Sequence, residues 1–137
     1  MAIEVVAATG RWEDFATFMV PRKPGGGGCV CMAYRHSRFD MPGRIEHMRS
    51  ECSAEPGPGV LAYLDEQVAG WCSVAAKSTY RRLMQSRTIP HVDEERKPWS
   101  IVCFVVRGGF PKRGLMHDLL DGAVEHAKSS GATVVEA

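Results

Sequence analysis

The stretch Ser100–Ala137 decides the fold: SIVCFVV at 100–106, RGGFPKRG at 107–114, LMHDLLDGAVEHAKSSG at 115–131 and ATVVEA at 132–137. An apolar run meets a basic, glycine-rich turn, the turn opens an amphipathic helix, and a second apolar run closes the segment. The first run does not alternate polar with apolar residues, so Trp99–Val106 reads as a strand covered on both faces. Leu115, Met116, Leu119, Leu120, Ala123, Val124 and Ala127 follow a helical repeat, which predicts a helix over 115–129. Lys128 suits its last turn, and Gly131 suits a left-handed stop. Thr133–Glu136 is then a second strand, parallel to the first through a right-handed crossover. The first-turn N–H groups of such a helix have no intrahelical partner, and its dipole adds positive potential. A buried strand feeding a glycine loop at that point makes an anion site, so a phosphorylated ligand is expected there. Lys112 and Arg113 supply charge to phosphate oxygens, and Gly114 lets the backbone approach closely. A plain connecting turn with solvated Lys112 and Arg113 is the bland alternative.

Upstream, Ile3–Ala7 reads as a strand, and Thr9 as the cap of a helix at 12–19 that Pro21 stops. Pro24–Gly28 is a loop with no side chains to order it. Pro42–Cys52 reads as a helix ended by the PGPG of 56–59. Val60–Leu64 and Val68–Ala75 form an antiparallel hairpin joined through Asp65–Gln67. Thr79–Ser86 reads as a short helix, and His91–Lys97 as a charged surface loop.

The chain has 137 residues, which suits one domain with a core large enough to need no disulfide or metal. Its apolar content of 45% and mixed charge fit a folded protein, and its net charge of +1 gives no footprint for nucleic acid. No apolar run is long enough to span a bilayer, and the start of the chain lacks a basic flank, so no membrane partner and no signal peptide are read. Five cysteines, an odd number, with Cys72 and Cys103 inside apolar runs, fit reduced thiols in a cytoplasmic protein.

The order hairpin, central strand, basic glycine turn, helix, strand resembles the GNAT superfamily of acyl-CoA-dependent N-acetyltransferases. The resemblance is best from Gly59 to Ala137 and is similar to a group of bacterial members. It implies an α/β (α+β) fold: a mixed central sheet flanked by helices on both faces, as a single domain over 1–137. In the family the loop before the long helix reads Gln or Arg, two variable residues, Gly, one variable residue, then Gly or Ala. Here that window is Pro111, Lys112, Arg113, Gly114, Leu115, Met116. Gly114 matches, whereas Pro111 and Met116 depart from the pattern. The resemblance implies acetyl-CoA as cosubstrate. The N–H groups of Lys112, Arg113, Gly114, Leu115 and Met116 would hold its pyrophosphate. Phe104, Val105 and Val106 would offer backbone groups to the pantetheine arm, in a gap between two splayed parallel strands. It further implies transfer of acetyl to a primary amine by direct attack in a ternary complex. A family member usually continues with another helix and two strands, so the strand at 133–136 is expected to pair with missing residues or in a homodimer.

No catalytic acid or base is assigned. Glu136 could face the acceptor, and Trp71 and Trp99 could line its pocket, although strand aromatics are more often core. His117 and His126 are expected on the solvent side of the long helix. Cys103 borders the cofactor strand but has no His placed near it in sequence, so it reads as a small apolar packing residue. Cys29-x-Cys31, with His36 and His47, suggests metal, but structural zinc sites prefer wider spacing and a second matched pair, so no metal is assigned. The alternatives are a non-catalytic CoA-binding or interaction module on the same fold and, resting on Cys29 and Cys31, a cysteine-based redox or metal protein. The acceptor's identity is not written in the sequence.

Overall fold

A computed structural model describes residues 3–20, 30, 35, 40–88, 94–107 and 112–137, with no side-chain detail at 94, 112 and 113. The expectations for Pro24–Gly28, Cys29, Cys31, His36 and Pro111 fall outside the described residues.

Five strands form one sheet in the order β1 (Ile3–Ala7), β2 (Gly59–Leu64), β3 (Gln67–Ala76), β4 (Trp99–Val106) and β5 (Val135–Glu136). The first three pairings are antiparallel and the last, β4 with β5, is parallel. The helices are α1 (Trp12–Met19), α2 (Met41–Ser53), α3 (Arg81–Met84) and α4 (Lys112–Ser129). The β2–β3 turn is made by Asp65 and Glu66, both left-handed at φ 50° and 71°. Two such residues match the right-handed twist of the strands they join.

Each sheet face is covered by different helices. On one face Leu115, Leu119, Ala123 and Ala127 of α4 are buried against Val60, Ala62, Cys72, Val74 and Ile101. These four helix residues lie four apart along the chain, so one stripe of α4 meets the sheet. On the other face Phe15 of α1 and Met48 and Cys52 of α2 are buried with Leu61 and Trp71. Phe15 meets Trp71 edge-to-face, with ring centroids 4.8 Å apart. Close helix packing depends on two glycines. A Cβ at Gly122 would lie 2.3 Å from Val5 Cγ1, and one at Gly70 would lie 2.9 Å from Leu119 Cδ1.

Local chemistry alters several expected boundaries. Thr9 does not cap α1; its hydroxyl donates to the Pro56 carbonyl at 2.9 Å, and Arg11 occupies the N-cap without a side-chain bond. Asp40 caps α2 instead, accepting from the Gly43 N–H at 2.9 Å, with Pro42 in the first turn. The expected helix at 79–86 is a 3-10 turn, Lys77–Thr79, followed by the single turn of α3. The helix α4 starts at Lys112, three residues before the apolar repeat begins, so Gly114 lies inside its first turn. Gly131 stops the chain beyond α4 at φ 97°.

Candidate functional site

The candidate site is built on β4. Along β3, Ser73 pairs with Cys103 and Val74 with Ile101, so Val102 is an extra residue on β4. A bulge of this kind bends its strand and increases the local twist. On its other edge β4 pairs with β5 at only two positions, Trp99 with Val135 and Ser100 with Glu136. The parallel ladder therefore stops at Ser100. From Ile101 to Val106 the described residues place a strand on one edge of β4 only. Among the described residues no second strand covers the other edge, and an extended ligand could add to it as a strand does.

The start of α4 follows the same strand. Leu115 is fully buried in the core and fixes the helix against the sheet. At its neighbour Gly114 a Cβ would meet nothing within 4 Å among the described residues. The backbone N–H groups of the first turn, from Lys112 onward, have no carbonyl one turn behind them inside the helix. Met116 is 39% exposed, one residue past the helical position that the core holds. Among the described residues, a helix N-terminus with nothing placed against Gly114 thus follows a strand with one unpaired edge. Those two features fit a phosphorylated ligand with an extended polar arm.

The remaining sequence-predicted residues fall elsewhere. Trp71, expected at an acceptor pocket, is fully buried against Phe15 and is a core residue. Trp99 packs on His126, with ring centroids 5.7 Å apart, and lines a cleft of ≈ 600 Å³ with Lys77, Arg96, Lys97 and Ser130. That cleft lies at the start of β4, the end away from Gly114. Glu136 sits at the same end, where its Oε1 is 3.0 Å from Lys77 Nζ and accepts from Ser100 Oγ at 3.1 Å. These contacts tie β5 to β3 and β4. Phe104 and Val106 pack on the α4 face, and Val105 packs on the α1–α2 face. Cys103 is a half-buried thiol outside any disulfide.

His126 is not on the solvent side. Its Nε2 is buried without a hydrogen-bond partner among the described residues. Desolvation pushes its pKa down, and a hydrogen bond with the Pro56 backbone opposes that shift. His117 is exposed. His47, considered as a metal ligand, lies 3.3 Å from Glu51 of the same helix. Among the described residues no three His, Cys, Asp or Glu side chains are grouped to hold a metal.

Two features escaped the sequence. The first is a buried polar group behind the bulge. Arg35 donates to Ser73 Oγ at 2.8 Å and to the Pro58 carbonyl at 3.0 Å, and lies 4.8 Å from the Tyr80 ring centroid. The Tyr80 hydroxyl is 2.9 Å from the same Ser73 Oγ. The one available signal was Ser73, a lone hydroxyl inside an otherwise apolar strand. The second is Arg107, the residue after β4. Its N–H donates to the Ala69 carbonyl at 3.0 Å, and its guanidinium lies 4.9 Å from the ring centroid of Phe18 on α1.

No family model matches the sequence, and no curated protein matches it. Solved structures do resemble it. The structure of AAC(6')-Iy in complex with a CoA-S-monomethyl-acetylneamine bisubstrate analogue superposes with a TM-score of 0.61 at 10% identity, over 100% of this chain and 78% of that one. A ribosomal-protein-alanine N-acetyltransferase from Brucella melitensis biovar Abortus 2308 gives 0.57 at 14% identity, over 99% and 79% of the two chains. An acetyltransferase of the GNAT family from Streptococcus pneumoniae gives 0.51 at 17% identity, over 95% and 70%. The sheet order, the covering of both faces and the similarity to these structures agree: the chain has the fold of the GNAT acetyltransferases.

Proposed function

We propose that the protein is an N-acetyltransferase that takes acetyl from acetyl-CoA and gives it to a primary amine. The observation that carries this reading is that, among the described residues, β4 has no second strand beside Ile101–Val106 and nothing stands against Gly114 in the first turn of α4. The first-turn N–H groups of α4, at Lys112, Arg113, Gly114, Leu115 and Met116, would hold the pyrophosphate of the cosubstrate. Lys112 and Arg113 would add charge. The backbone groups of Phe104, Val105 and Val106 would pair with the pantetheine amides. In the transfer itself the amine nitrogen attacks the acetyl carbonyl, the C–N bond forms, the C–S bond breaks, and coenzyme A leaves as the thiolate or thiol. The chain's own task is to orient the two substrates, which supplies much of the acceleration in such reactions. In this reading no covalent enzyme intermediate is needed, so Cys103 serves as packing. No helix of the described residues is long and apolar enough to cross a membrane, and we place the reaction in the cytoplasm. A two-fold homodimer through the exposed strand edges belongs to the same proposal, and light scattering tests it.

A second reading is a CoA-binding module that performs no transfer. The engagement of Glu136 by Lys77 and Ser100 favours it, because the carboxylate considered for the acceptor already has partners. One experiment separates the readings: incubation with acetyl-CoA and a panel of primary amines, followed by release of free thiol. Thiol release that depends on an amine supports transfer. Coenzyme A binding without thiol release supports the module.

A further inference from the structure

We propose that Arg107 recognises a carboxylate on the acceptor, so that the acceptor is an amine that also carries negative charge. This inference rests on the acyltransferase reading above.

The argument begins with the two faces of the sheet. The helix α4, whose N-terminus would hold the cosubstrate phosphates, covers one face, and α1 and α2 cover the other. The open edge of β4 connects the two faces. A ligand anchored at α4 and extended along that edge presents its reacting end to an acceptor coming from the α1–α2 side. Arg107 belongs to that second side. Its ring partner Phe18 packs with the α1–α2 cluster, as does Val105, two residues earlier on the same strand.

No carboxylate among the described residues pairs with Arg107, whose guanidinium contacts the Phe18 ring. Asp14, one helical turn before Phe18, accepts from the Tyr63 hydroxyl. From Phe15 to Phe39 there is no Asp or Glu, while Arg22, Lys23, Arg35 and Arg38 are all basic. From Arg107 to His117 there is again no Asp or Glu. A half-buried guanidinium laid on an aromatic ring keeps its edge free for bidentate bonds to a carboxylate. The backbone bond from Arg107 to Ala69 holds its main chain, and the Phe18 ring lies beside its guanidinium. The stretch from Val102 to Arg107 is about 16 Å at roughly 3.3 Å per residue. An acceptor whose amine reacts near Val102 must therefore hold its carboxylate many bonds away, as a short peptide does and a free α-amino acid does not.

The test uses acetylated products as probes, so the acceptor itself need not be identified first. N-acetylglycine, N-acetyl-γ-aminobutyrate and N-acetyl-trialanine are titrated calorimetrically, each as free acid and as amide, with and without coenzyme A. At least one acid should bind about tenfold more tightly than its amide, the scale of one charge-assisted contact. Arg107→Gln should erase that difference, Arg107→Lys should keep part of it, and coenzyme A affinity should stay within about twofold in both variants. Equal binding of acids and amides, or binding of neither, overturns the proposal. So does a fall in coenzyme A affinity in Arg107→Gln, which would make Arg107 a contact of the cofactor phosphates. Absence of coenzyme A binding in the unmodified protein would sink the acyltransferase reading. The acid–amide comparison without coenzyme A would then still decide the role of Arg107.

Discussion

Lys77 Nζ stands 3.0 Å from Glu136 Oε1, and the lysine side chain is only 2% exposed. The same carboxylate oxygen accepts from Ser100 Oγ. One residue from each of β4 and β5, and the residue that follows β3, thus meet at the point where the parallel ladder ends. A buried ammonium stripped of its carboxylate is strongly destabilising, whereas replacing both partners by apolar groups is often neutral. Glu136 is 30% exposed, so water tempers the loss. Glu136→Gln should therefore cost about 2 kcal/mol in urea denaturation. Lys77→Met combined with Glu136→Leu should recover most of it. A Glu136→Gln protein as stable as the parent would show that the pair does not hold β5.

His126 makes stability depend on pH. Burial lowers its folded pKa below the ordinary 6.5. Between the two values the unfolded chain binds the proton and the folded chain does not, so stability rises with pH across that window. The contribution is complete above the ordinary value and is lost as pH falls through the depressed one. The stability difference between the parent and His126→Leu should shift in the parent's favour from about pH 5 to about pH 7. A difference that stays flat over that range contradicts the buried, neutral imidazole.

Gly122 brings α4 close to β1. A Cβ there would lie 2.8 Å from Val5 Cβ, an atom fixed by its strand. Overpacking costs about 1–3 kcal/mol, while Gly→Ala inside a helix returns about 1 kcal/mol. The clash should win, so Gly122→Ala should lower the melting temperature. Val5→Ala placed in that background should cost less than it does alone. Strict additivity of the two substitutions would mean that α4 and β1 do not touch there.

The legibility of this chain follows its periodicities. The strand Trp99–Val106 is readable with its observed bounds because, apart from Ser100, it is apolar without alternation, as a doubly covered strand is. The start of α4 is less visible: Lys112 and Arg113 carry no apolar repeat, so periodicity alone starts the helix at Leu115. Thr9 reads as a cap because its hydroxyl stands just before a helix, yet a hydroxyl can serve any nearby acceptor, and here it donates to the Pro56 carbonyl. His126 looks solvated in the sequence because a single polar residue on a helix gives no sign of the ring beside it; Trp99 is far away along the chain. Val102 cannot be singled out by sequence, since a bulge shows itself only when the partner strand is known. Arg107 belongs to the basic loop by composition, and its contact with Phe18 needs the third dimension.

Met116 tests the detail of the loop. It is 39% exposed, so its truncation removes little buried surface. Met116→Ala should leave the urea midpoint nearly unchanged and should tighten coenzyme A binding, because bulk beside the phosphates is removed. Weaker binding with unchanged stability would mean that the methionine side chain covers the ligand.

The central claim is that the N-terminus of α4 holds the phosphates of acetyl-CoA, and Gly114 examines it most directly. A side chain at that position meets nothing within 4 Å among the described residues. It would project where the phosphates are expected. Calorimetric titration of acetyl-CoA into the parent and into Gly114→Val, with urea midpoints taken on the same samples, is the decisive measurement. The account predicts binding by the parent, weakened by added salt, and loss of binding in Gly114→Val with most of the stability retained. Equal acetyl-CoA binding by the two folded proteins, or none by the parent, would contradict it.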